Sequence, residues 1–500
     1  MKSSFILFIC LLLATANFSQ QAYHEQYRPQ IHFSPKEHWT NDPNGMVYYS
    51  GAYHLFFQYY PDGITWGPMH WGHAISKDLV HWEELPIALY PDSLGYIFSG
   101  SAVVDAKNTS GFGKDGKLPL VAIFTHHDPK GEKAGSSTFQ NQSLAYSLDD
   151  GKTWIKYEGN PVLKNPGITD FRDPKVMWYE PQQKWVMTLA AKDHISFYAS
   201  PDLKNWMHES DFGKDIGAHG GVWECPDLIP FDVNGKKMWV LIVNINPGGP
   251  NGGSATQYFT GSFDGKIFIP NHTNIKWLDY GPDEYAGITW SNTGNRKIFL
   301  GWMSNWLYAN LVPTVKWRNA MTIPRDISLK KINNTWLAAS EPSKELKAIE
   351  LKTISLNNIK TGNGLDLSSK TGNIQLPCRI NLNFDKAADF SLTLSNTAGE
   401  KIIIGFDKQN NQYFIDRSNS GKTDFQKDFA AKHTAPRFIN TDAMNISLII
   451  DESAVELFAD DGLSVMTSIF FSSAPYNKAG IQADEMIKRL EYVPYKSIWP

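Results

Sequence analysis

The sequence predicts an all-β protein in which a five-bladed β-propeller is followed by a β-sandwich domain. Two repeats that run in phase with each other predict the propeller, and short alternating runs toward the C-terminus predict the sandwich. Patterns typical of helices are scarce. Because 500 residues exceed what one hydrophobic core usually supports, two domains are expected.

The chain begins with a segment typical of a signal peptide. Lys2 precedes the apolar run Phe5–Ala14, and small and polar residues follow at Ala16–Gln20. The apolar run is too short to span a bilayer. We therefore expect residues 1–20 to be a signal peptide, the protein to be exported to the periplasm or the exterior, and no membrane span. The Lys-, Asn- and Ile-rich composition indicates a bacterial source.

The composition is that of a globular protein, with 42% apolar residues, 20% charged residues and a net charge of −4. No basic block appears, which argues against a nucleic-acid partner. The 17 Trp residues suit β-rich cores and also sugar-binding surfaces. Beyond Cys10 in the apolar run, only Cys225 and Cys378 remain, and we expect them in different domains. No disulfide, metal site or cofactor is therefore expected.

The first repeat is a Ser-x-Asp turn that follows a strand-like run and ends at an aromatic residue. It occurs four times, as "SKDLVHW" (76–82), "SLDDGKTW" (147–154), "SPDLKNW" (200–206) and "SFDGKIF" (262–268). A strand, a tight turn and a strand at a spacing of about 60 residues are typical of a propeller blade. Five blades at that spacing fill residues 28–338, which we assign to the propeller.

The second repeat places a carboxylate before a Pro, a first strand, a turn and an apolar second strand. It starts at "NDPNG", "RDPKV" and "ECPDL", and in "FSGSAV" the residues Ser99–Ser101 take the place of the carboxylate. The first strand of every propeller blade lines the central axis, so equivalent positions converge at one end of it. We expect Asp42, Asp173 and Glu224 to meet there.

The propeller pattern weakens after Arg325. The stretch "EPSKELKAIELKTISL" at 341–356 indicates a short helix or a linker, and we assign residues 339–354 to a linker. Short alternating runs such as "FSLTLSN" and "KIIIGFD" follow. They predict an antiparallel β-sandwich over residues 355–500.

Each of the three carboxylates has an ordinary explanation when taken alone. Asp42 before Pro-Asn-Gly is typical of a turn, and Arg172 beside Asp173 is typical of a structural ion pair. Three carboxylates gathered at one site repel one another, however, so folding stability gives no reason to collect them. Beside aromatic residues and without metal ligands, they suit glycosyl transfer. We expect Arg172 to hold Asp173 ionised, and we expect Glu224, which has no basic neighbour in sequence, to be the acid.

The chain resembles the glycoside hydrolases that act on β-fructosides (family 32), which include invertases, inulinases, levanases and fructan exohydrolases. The resemblance runs from about His32 to the C-terminus. It is carried by "HWTNDPNG", "YHLFFQYYP", "WGPMHWGHAISKDLVHW", "FSGSAV", "FRDPKV", "ECPDL", "GWMSNW" and "DESAVELFADDG". The family implies a propeller followed by a sandwich. It also implies retention of configuration through a covalent fructosyl-enzyme, with two carboxyl groups roughly 5–5.5 Å apart.

The resemblance implies a role for each matching residue. Asp42 corresponds to the nucleophile, Asp173 to the carboxylate that stabilises the transition state, and Glu224 to the general acid/base. Trp302 competes with Trp306 for one apolar wall, and Thr40 stands where the family often has Met. The residues implied to hold the fructose ring are Trp39, Asn41, Gln58, Trp66, Phe98, Ser99, Arg172 and Trp306.

The expected function is that of an exported retaining β-fructofuranosidase that removes terminal fructose from levan or inulin, with sucrose as a further candidate substrate. Within the same chemistry, the alternatives are a sucrose-preferring invertase, an endo-levanase and a fructosyltransferase. "SLDDGKTW" also resembles the Asp-box of sialidases, but the arginine cluster of a sialidase is not evident. A non-catalytic fructan-binding protein is the alternative outside enzymes. The linkage preference and the oligomeric state are not predicted.

Overall fold

The computed structural model describes residues 23–362 and 364–500, so the predicted signal peptide lies outside the described part. Within those ranges α-helix is confined to α1 (Pro129–Lys133) and α2 (Ser368–Thr371), and nearly all other regular structure is strand. In the same ranges, no helix is long and apolar enough to cross a bilayer.

Five antiparallel sheets follow one another along the first two thirds of the chain. The first holds β1 (His38–Tyr49), β2 (Ala52–Tyr60), β3 (His70–Ser76) and β4 (Glu83–Leu89). The second holds β5 (Tyr96–Val104), β6 (Leu120–His127), β7 (Gln140–Ser147) and β8 (Ile155–Lys156). The third holds β9 (Phe171–Tyr179), β10 (Lys184–Ala191), β11 (His194–Ser200) and β12 (Met207–Phe212).

The remaining two sheets complete the set. The fourth holds β13 (Val222–Val233), β14 (Lys236–Asn246), β15 (Ala255–Phe263) and β16 (Phe268–Pro270). The fifth holds β17 (Tyr285–Thr289), β18 (Ile298–Met303), β20 (Ala320–Met321), β21 (Arg325–Ile332) and β22 (Thr335–Pro342). The short strand β19 (Trp317–Arg318) lies between β18 and β20 in sequence but belongs to the first sheet. The second strand of each sheet packs between neighbouring sheets, which explains apolar runs such as the fully buried β6.

The five sheets form a ring of blades around an axis. The first strands of successive sheets lie against one another in the order β1, β5, β9, β13 and β17, and β17 lies against β1. A parallel bridge joins Val47 to Ser291 across that last contact. In addition, β19 pairs with β1 in parallel. The predicted five-bladed propeller is confirmed.

The Ser-x-Asp repeat forms the turn between the third and fourth strands of a blade. In three blades the Ser hydroxyl donates to the Asp two residues later: Ser76 to Asp78 at 3.1 Å, Ser147 to Asp149 at 2.7 Å and Ser200 to Asp202 at 3.1 Å. The carboxylates then accept backbone N–H groups of the turn, for example from Val80 and His81. Side-chain caps of this kind stabilise a tight turn, so this repeat is structural.

The C-terminal part is a sandwich of two six-stranded sheets. One sheet has the order β23 (Ile354–Ile359), β34 (Ile487–Pro494), β25 (Cys378–Phe384), β30 (Met444–Ile450), β31 (Ala454–Ala459) and β32 (Ser464–Ile469). The other has the order β24 (Leu365–Asp366), β33 (Lys478–Ala483), β26 (Phe390–Ser395), β27 (Lys401–Asp407), β28 (Gln412–Asn419) and β29 (Lys432–Pro436). Strands such as β25 alternate buried and partly exposed residues, because one face of each sheet covers the core. This prediction is also confirmed.

The stretch between propeller and sandwich contains a short 3₁₀ helix, Lys344–Ile349, and β23 begins at Ile354. The finer division into residues 28–338, 339–354 and 355–500 stays a prediction.

The two domains share a core and a buried network of charges. Phe458 and Val465 of the sandwich pack in one cluster with Ile323 and Trp499. Beside that cluster, the fully buried guanidinium of Arg325 in the propeller donates to Glu456 of the sandwich at 2.9 Å and to Asp279 at 2.9 Å. Charges removed from water in this way are stable only while each keeps its partners. The network therefore locks the two domains in one relative position.

Replacing the buried guanidinium of Arg325 should lower the free energy of unfolding much more than replacing a partly exposed guanidinium. Arg325→Met leaves Glu456 and Asp279 buried without it, and we expect the free energy of unfolding to fall by about 3–5 kcal/mol. Guanidinium unfolding followed by tryptophan fluorescence measures this loss. Arg296→Met is the matched control, because Arg296 also bonds two carboxylates but its side chain is 30% exposed; its loss should stay below about 1 kcal/mol. If both variants lose the same free energy of unfolding, the buried network around Arg325 does not hold the two domains together.

Candidate active site

A pocket of about 280 Å³ opens at the end of the propeller axis where the first strands begin. Its floor consists of polar residues that are almost completely buried, and its mouth is open to solvent. The lining residues are Asn41, Asp42, Gln58, Trp66, Phe98, Ser99, His127, Glu132, Gln140, Asp170, Arg172, Asp173, Val222, Glu224, Asn246 and Trp306. The three carboxylates singled out in the sequence therefore share one cavity.

A β-bulge in each innermost strand directs side chains into this region. In every blade two residues of the first strand oppose a single residue of the second. The bulged pairs are Asn41–Asp42, Phe98–Ser99, Asp173–Pro174, Cys225–Pro226 and Ala286–Gly287. Asp173, Cys225 and Ala286 take positive φ angles of 65°, 42° and 55°. A bulge interrupts the alternation of the strand and re-aims a side chain, so the same device recurs five times around the axis.

The bulges also show that the three carboxylates are not strictly equivalent. Asp42 is the second residue of its bulge, Asp173 is the first, and Glu224 directly precedes its bulge. Arg172 and Tyr285 precede the bulges of the two blades that flank Glu224. These three residues thus share one register on adjacent blades, which places Glu224 between a guanidinium and a phenol.

Glu224 is bonded by both of these neighbours. Arg172 donates from Nε and Nη2 to Oε1 of Glu224, both at 3.0 Å, and Nη1 of Arg172 bonds Asp170 at 2.5 Å. Tyr285 donates its hydroxyl to Oε2 of Glu224. Burial and the negative Glu224 raise the pKa of Tyr285 well above its usual value, so the phenol stays protonated and continues to donate. The sequence has no basic residue beside Glu224, but the fold supplies one.

The carboxylate of Asp42 accepts hydrogen bonds from two side chains. Ser99 donates its hydroxyl to Oδ2 at 2.6 Å, and Asn41 donates its amide to Oδ1 at 2.9 Å. The amide oxygen of Asn41 in turn accepts from the indole N–H of Trp39 at 2.8 Å. These bonds hold the carboxylate of Asp42 in a single orientation.

Asp173 is the most buried of the three carboxylates. Its Oδ2 accepts the backbone N–H of Cys225 at 3.0 Å, and the Cys225 thiol lies 3.6 Å from the same oxygen and 3.5 Å from Oδ2 of Asp42. Burial raises the pKa of Asp173 to about 7; Arg172 opposes the shift, and Glu224 and Asp42 add to it. Arg172 thus lowers the pKa of Asp173, which is the expected direction, and the expectation that it holds this carboxyl ionised stays a prediction. The guanidinium is bonded to Glu224 and Asp170, and desolvation outweighs its effect on Asp173.

Two family models match this chain. "Glycosyl hydrolases family 32 N-terminal domain" matches residues 32–340, and "Glycosyl hydrolases family 32 C terminal" matches residues 341–494. The chain belongs to glycosyl hydrolase family 32. The resemblance found in the sequence motifs is thereby confirmed.

Curated relatives within family 32 align over nearly the whole chain. A levanase of Bacillus subtilis (strain 168) is 45% identical over 514 residues, which cover 99% of this chain and 75% of the relative. An extracellular exo-inulinase of Aspergillus awamori is 41% identical, covering 90% of this chain and 91% of the relative.

Solved structures of the family share the fold. Exo-inulinase from Aspergillus awamori aligns with a TM-score of 0.85 at 37% identity, covering 95% of this chain and 100% of that chain. The β-fructofuranosidase from Schwanniomyces occidentalis, complexed with fructosyl-erythritol, aligns with a TM-score of 0.86 at 32% identity, covering 95% and 99%.

The residues predicted to hold the sugar divide into two layers. Those in the pocket wall are Asn41, Gln58, Trp66, Phe98, Ser99, Arg172 and Trp306. Trp39 and Trp302 are fully buried behind that wall, with ring centroids 5.9 and 4.9 Å from Trp306. Trp306 rather than Trp302 thus lines the pocket, and Trp39 contacts Asn41 from behind. The roles of the lining residues stay predictions.

Several residues that line the pocket or bond its carboxylates are not predicted by the sequence motifs. Tyr285 lies in "DEYAG", which belongs to the second repeat, so its register could have revealed it. Asp170 lies two residues before Arg172. The others lie at strand ends and on a connecting helix. His127 and Asn246 end second strands, Gln140 begins a third strand, Val222 begins a first strand, and Glu132 lies on α1.

Because the pKa of Asp173 is raised in the folded protein, ionisation of this carboxyl lowers the free energy of unfolding. Below about pH 4 the carboxyl is protonated in both folded and unfolded chains, and stability is lost as the pH rises through about 7. We therefore expect Asp173→Asn to raise the free energy of unfolding at pH 8 by about 2–4 kcal/mol. The gain should vanish near pH 4.

Thermal and chemical unfolding at both pH values check this expectation. The exposed Asp215 provides the control, since Asp215→Asn removes a carboxylate that water already solvates. A gain for Asp173→Asn that is the same at pH 4 and pH 8 would show that ionisation is not its origin.

Proposed function

We propose that this protein is an exported β-fructofuranosidase that releases terminal fructose from levan, inulin or short β-fructosides, with retention of configuration. One observation carries the proposal: Asp42, Asp173 and Glu224 line one small pocket, together with the guanidinium of Arg172 and with buried neutral hydrogen-bonding side chains such as Gln58 and Ser99. The levanase and exo-inulinase relatives support the same substrate class. Export and a bacterial source rest on the sequence of the N-terminus and the composition.

The first chemical step transfers the fructosyl group to the protein. An oxygen of the Asp42 carboxylate attacks the anomeric carbon of the terminal fructose, and the bond from that carbon to the glycosidic oxygen breaks. The Glu224 carboxyl gives its proton to the departing oxygen. Positive charge develops on the sugar ring, and the fixed negative groups around it stabilise that charge without reorganisation.

The second step regenerates the protein. The Glu224 carboxylate takes a proton from a water molecule, whose oxygen attacks the anomeric carbon and displaces the Asp42 carboxylate. Fructose leaves, and Glu224 is again protonated. Two displacements at one carbon return the original configuration. Arg172 and Tyr285 keep Glu224 in place throughout both steps.

The floor of the pocket offers groups for the fructose hydroxyls. Gln58 is 2% exposed, and its amide nitrogen has no protein acceptor. A buried donor without a partner is unfavourable, so a sugar hydroxyl is a natural acceptor for it. Ser99 and Asp173 lie on the same floor. At about 280 Å³ the pocket is slightly smaller than most sites for drug-sized ligands, which favours release of single fructose units.

A product profile over time tests the proposal. Purified protein is given levan, inulin and sucrose separately, and the products are separated by chromatography. We expect free fructose as the sole early product from a polymer, because the pocket admits one terminal unit. A ladder of oligosaccharides would indicate endo cleavage instead. Absence of any product from all three would contradict the proposed function and favour a fructan-binding protein.

The nucleophile is tested by Asp42→Asn, which keeps the shape of the side chain but removes its negative charge. We expect kcat to fall by a factor of about 10³ or more, since the covalent step is lost and only positioning remains. Initial rates on sucrose and inulin measure it, and Asp215→Asn, at an exposed site that does not line the pocket, is the control. If Asp42→Asn keeps most of the wild-type rate, another group is the nucleophile.

A further inference from the structure

Glu132 is a carboxylate of the pocket to which the proposed reaction gives no role. It lies on α1, a single helical turn in the connection between β6 and β7, and it lines the pocket at the mouth. Its side chain is 56% exposed, whereas Asn41, Gln58, Ser99 and Asp173 on the floor are each at most 5% exposed. Glu132 is therefore the outermost carboxylate of the pocket.

A chain of hydrogen bonds holds Glu132 in place. Gln140 accepts the backbone N–H of Phe171 through Oε1 at 2.8 Å, which leaves its Nε2 amide to donate to Nδ1 of His127 at 3.3 Å. The other ring nitrogen, Nε2 of His127, then carries the proton and donates to Oε2 of Glu132 at 3.1 Å. Every donor in this chain meets an acceptor, so the tautomer of His127 is determined.

Stacking on Phe98 and burial also hold the ring of His127 in place. It stacks on Phe98 with a centroid distance of 4.2 Å and an interplanar angle of 7°, and it is 3% exposed. Burial lowers the pKa of His127, so the ring is neutral at neutral pH and does not cancel the charge of Glu132. The helix is also fixed: the Asp128 carboxylate accepts the N–H of Lys130 at 3.0 Å, and the backbone N–H of Asp128 bonds Phe139 at 2.7 Å.

The depth of Glu132 indicates which part of a substrate it meets. In a pocket that takes a chain end, the terminal sugar occupies the floor beside Asp42, and the next unit lies nearer the mouth. Glu132 is on the mouth side of Phe98 and His127. An ionised carboxylate with one oxygen held by His127 retains a second oxygen that can accept a sugar hydroxyl.

The charge around Glu132 also restricts that second unit. The pocket holds five carboxyl groups, Asp42, Glu132, Asp170, Asp173 and Glu224, and Arg172 is the one basic side chain of its lining besides the neutral His127. Arg172 is already bonded to Asp170 and Glu224. An anionic group on the unit next to fructose would thus face Glu132, and the described pocket lining contains no unpaired cation to bind it.

We propose that Glu132 determines specificity for the leaving unit: it binds a hydroxyl of an uncharged sugar next to the terminal fructose and rejects a unit that carries a phosphate. The inference rests on the proposed function, since it assumes that a fructosyl group is transferred from the floor of the pocket. It assigns Glu132 to substrate selection, and it assigns no step of bond making or breaking to it.

The test uses three substrates that share the fructosyl group and differ in the leaving unit: sucrose, sucrose phosphorylated at O6 of its glucose unit, and p-nitrophenyl β-D-fructofuranoside, whose leaving group has no hydroxyl. We expect Glu132→Ala to lower kcat/KM for sucrose by about tenfold, chiefly through KM, because a hydrogen bond to a charged group is lost. The rate on the p-nitrophenyl substrate should change less than about twofold.

A second variant isolates the charge. Glu132→Gln keeps an acceptor oxygen and removes the negative charge, so kcat/KM for phosphorylated sucrose relative to sucrose should rise by about tenfold. Glu158→Gln is the matched control, since Glu158 is an exposed glutamate of the same blade that does not line the pocket. That variant should leave the ratio unchanged, and thermal unfolding confirms that all variants fold.

Two results would overturn the assignment. If Glu132→Ala slows the p-nitrophenyl substrate as much as sucrose, Glu132 contacts the fructose ring rather than the leaving unit. If Glu132→Gln does not change kcat/KM for phosphorylated sucrose relative to sucrose, the carboxylate does not select substrates by charge. A wild-type protein that releases no fructose from levan, inulin or sucrose would instead contradict the proposed function, and the inference about Glu132 would fail with it.

Discussion

The structure depends on the closure of five innermost strands around one axis, each interrupted by a bulge at the same end. Closure brings strand starts that are distant in sequence into contact, and the bulges direct the side chains there toward the axis. The pocket is thus a product of the ring. Asp173, at a φ of 65°, takes a backbone conformation that residues other than glycine rarely adopt, and the pairing of its strand on both sides of the bulge holds it there.

The molecule handles buried charge in two opposite ways. At the domain interface, Arg325 and Arg417 are fully buried and each is bonded to carboxylates, so the charges compensate one another. In the pocket, carboxyl groups outnumber the single guanidinium of Arg172, and burial raises the pKa of Asp173 to about 7. The interface uses charge for stability, whereas the pocket tolerates an unfavourable concentration of negative groups that suits the chemistry of a sugar cation.

Neutral donors make that concentration of charge possible. Ser99, Asn41, Tyr285 and the backbone N–H of Cys225 each donate to one of the three carboxylates. Burial raises the pKa of the Cys225 thiol well above its usual value, so this group adds no further negative charge between Asp42 and Asp173. The local arrangement therefore combines strong hydrogen bonding with a minimum of positive charge, which leaves the pocket suited to uncharged sugars.

The sequence by itself determined the all-β architecture, the number of blades and the convergence of Asp42, Asp173 and Glu224, because these follow from local periodicity and from the phase of two repeats. Only the tertiary structure decided which groups touch across blades. Arg172 bonds Glu224 and Asp170 rather than its neighbour Asp173, Trp39 lies behind the pocket wall, and Glu132 reaches the mouth from a segment without any repeat. The physical reason is that pairing and desolvation depend on distances between segments far apart in the chain, and no local pattern records those distances.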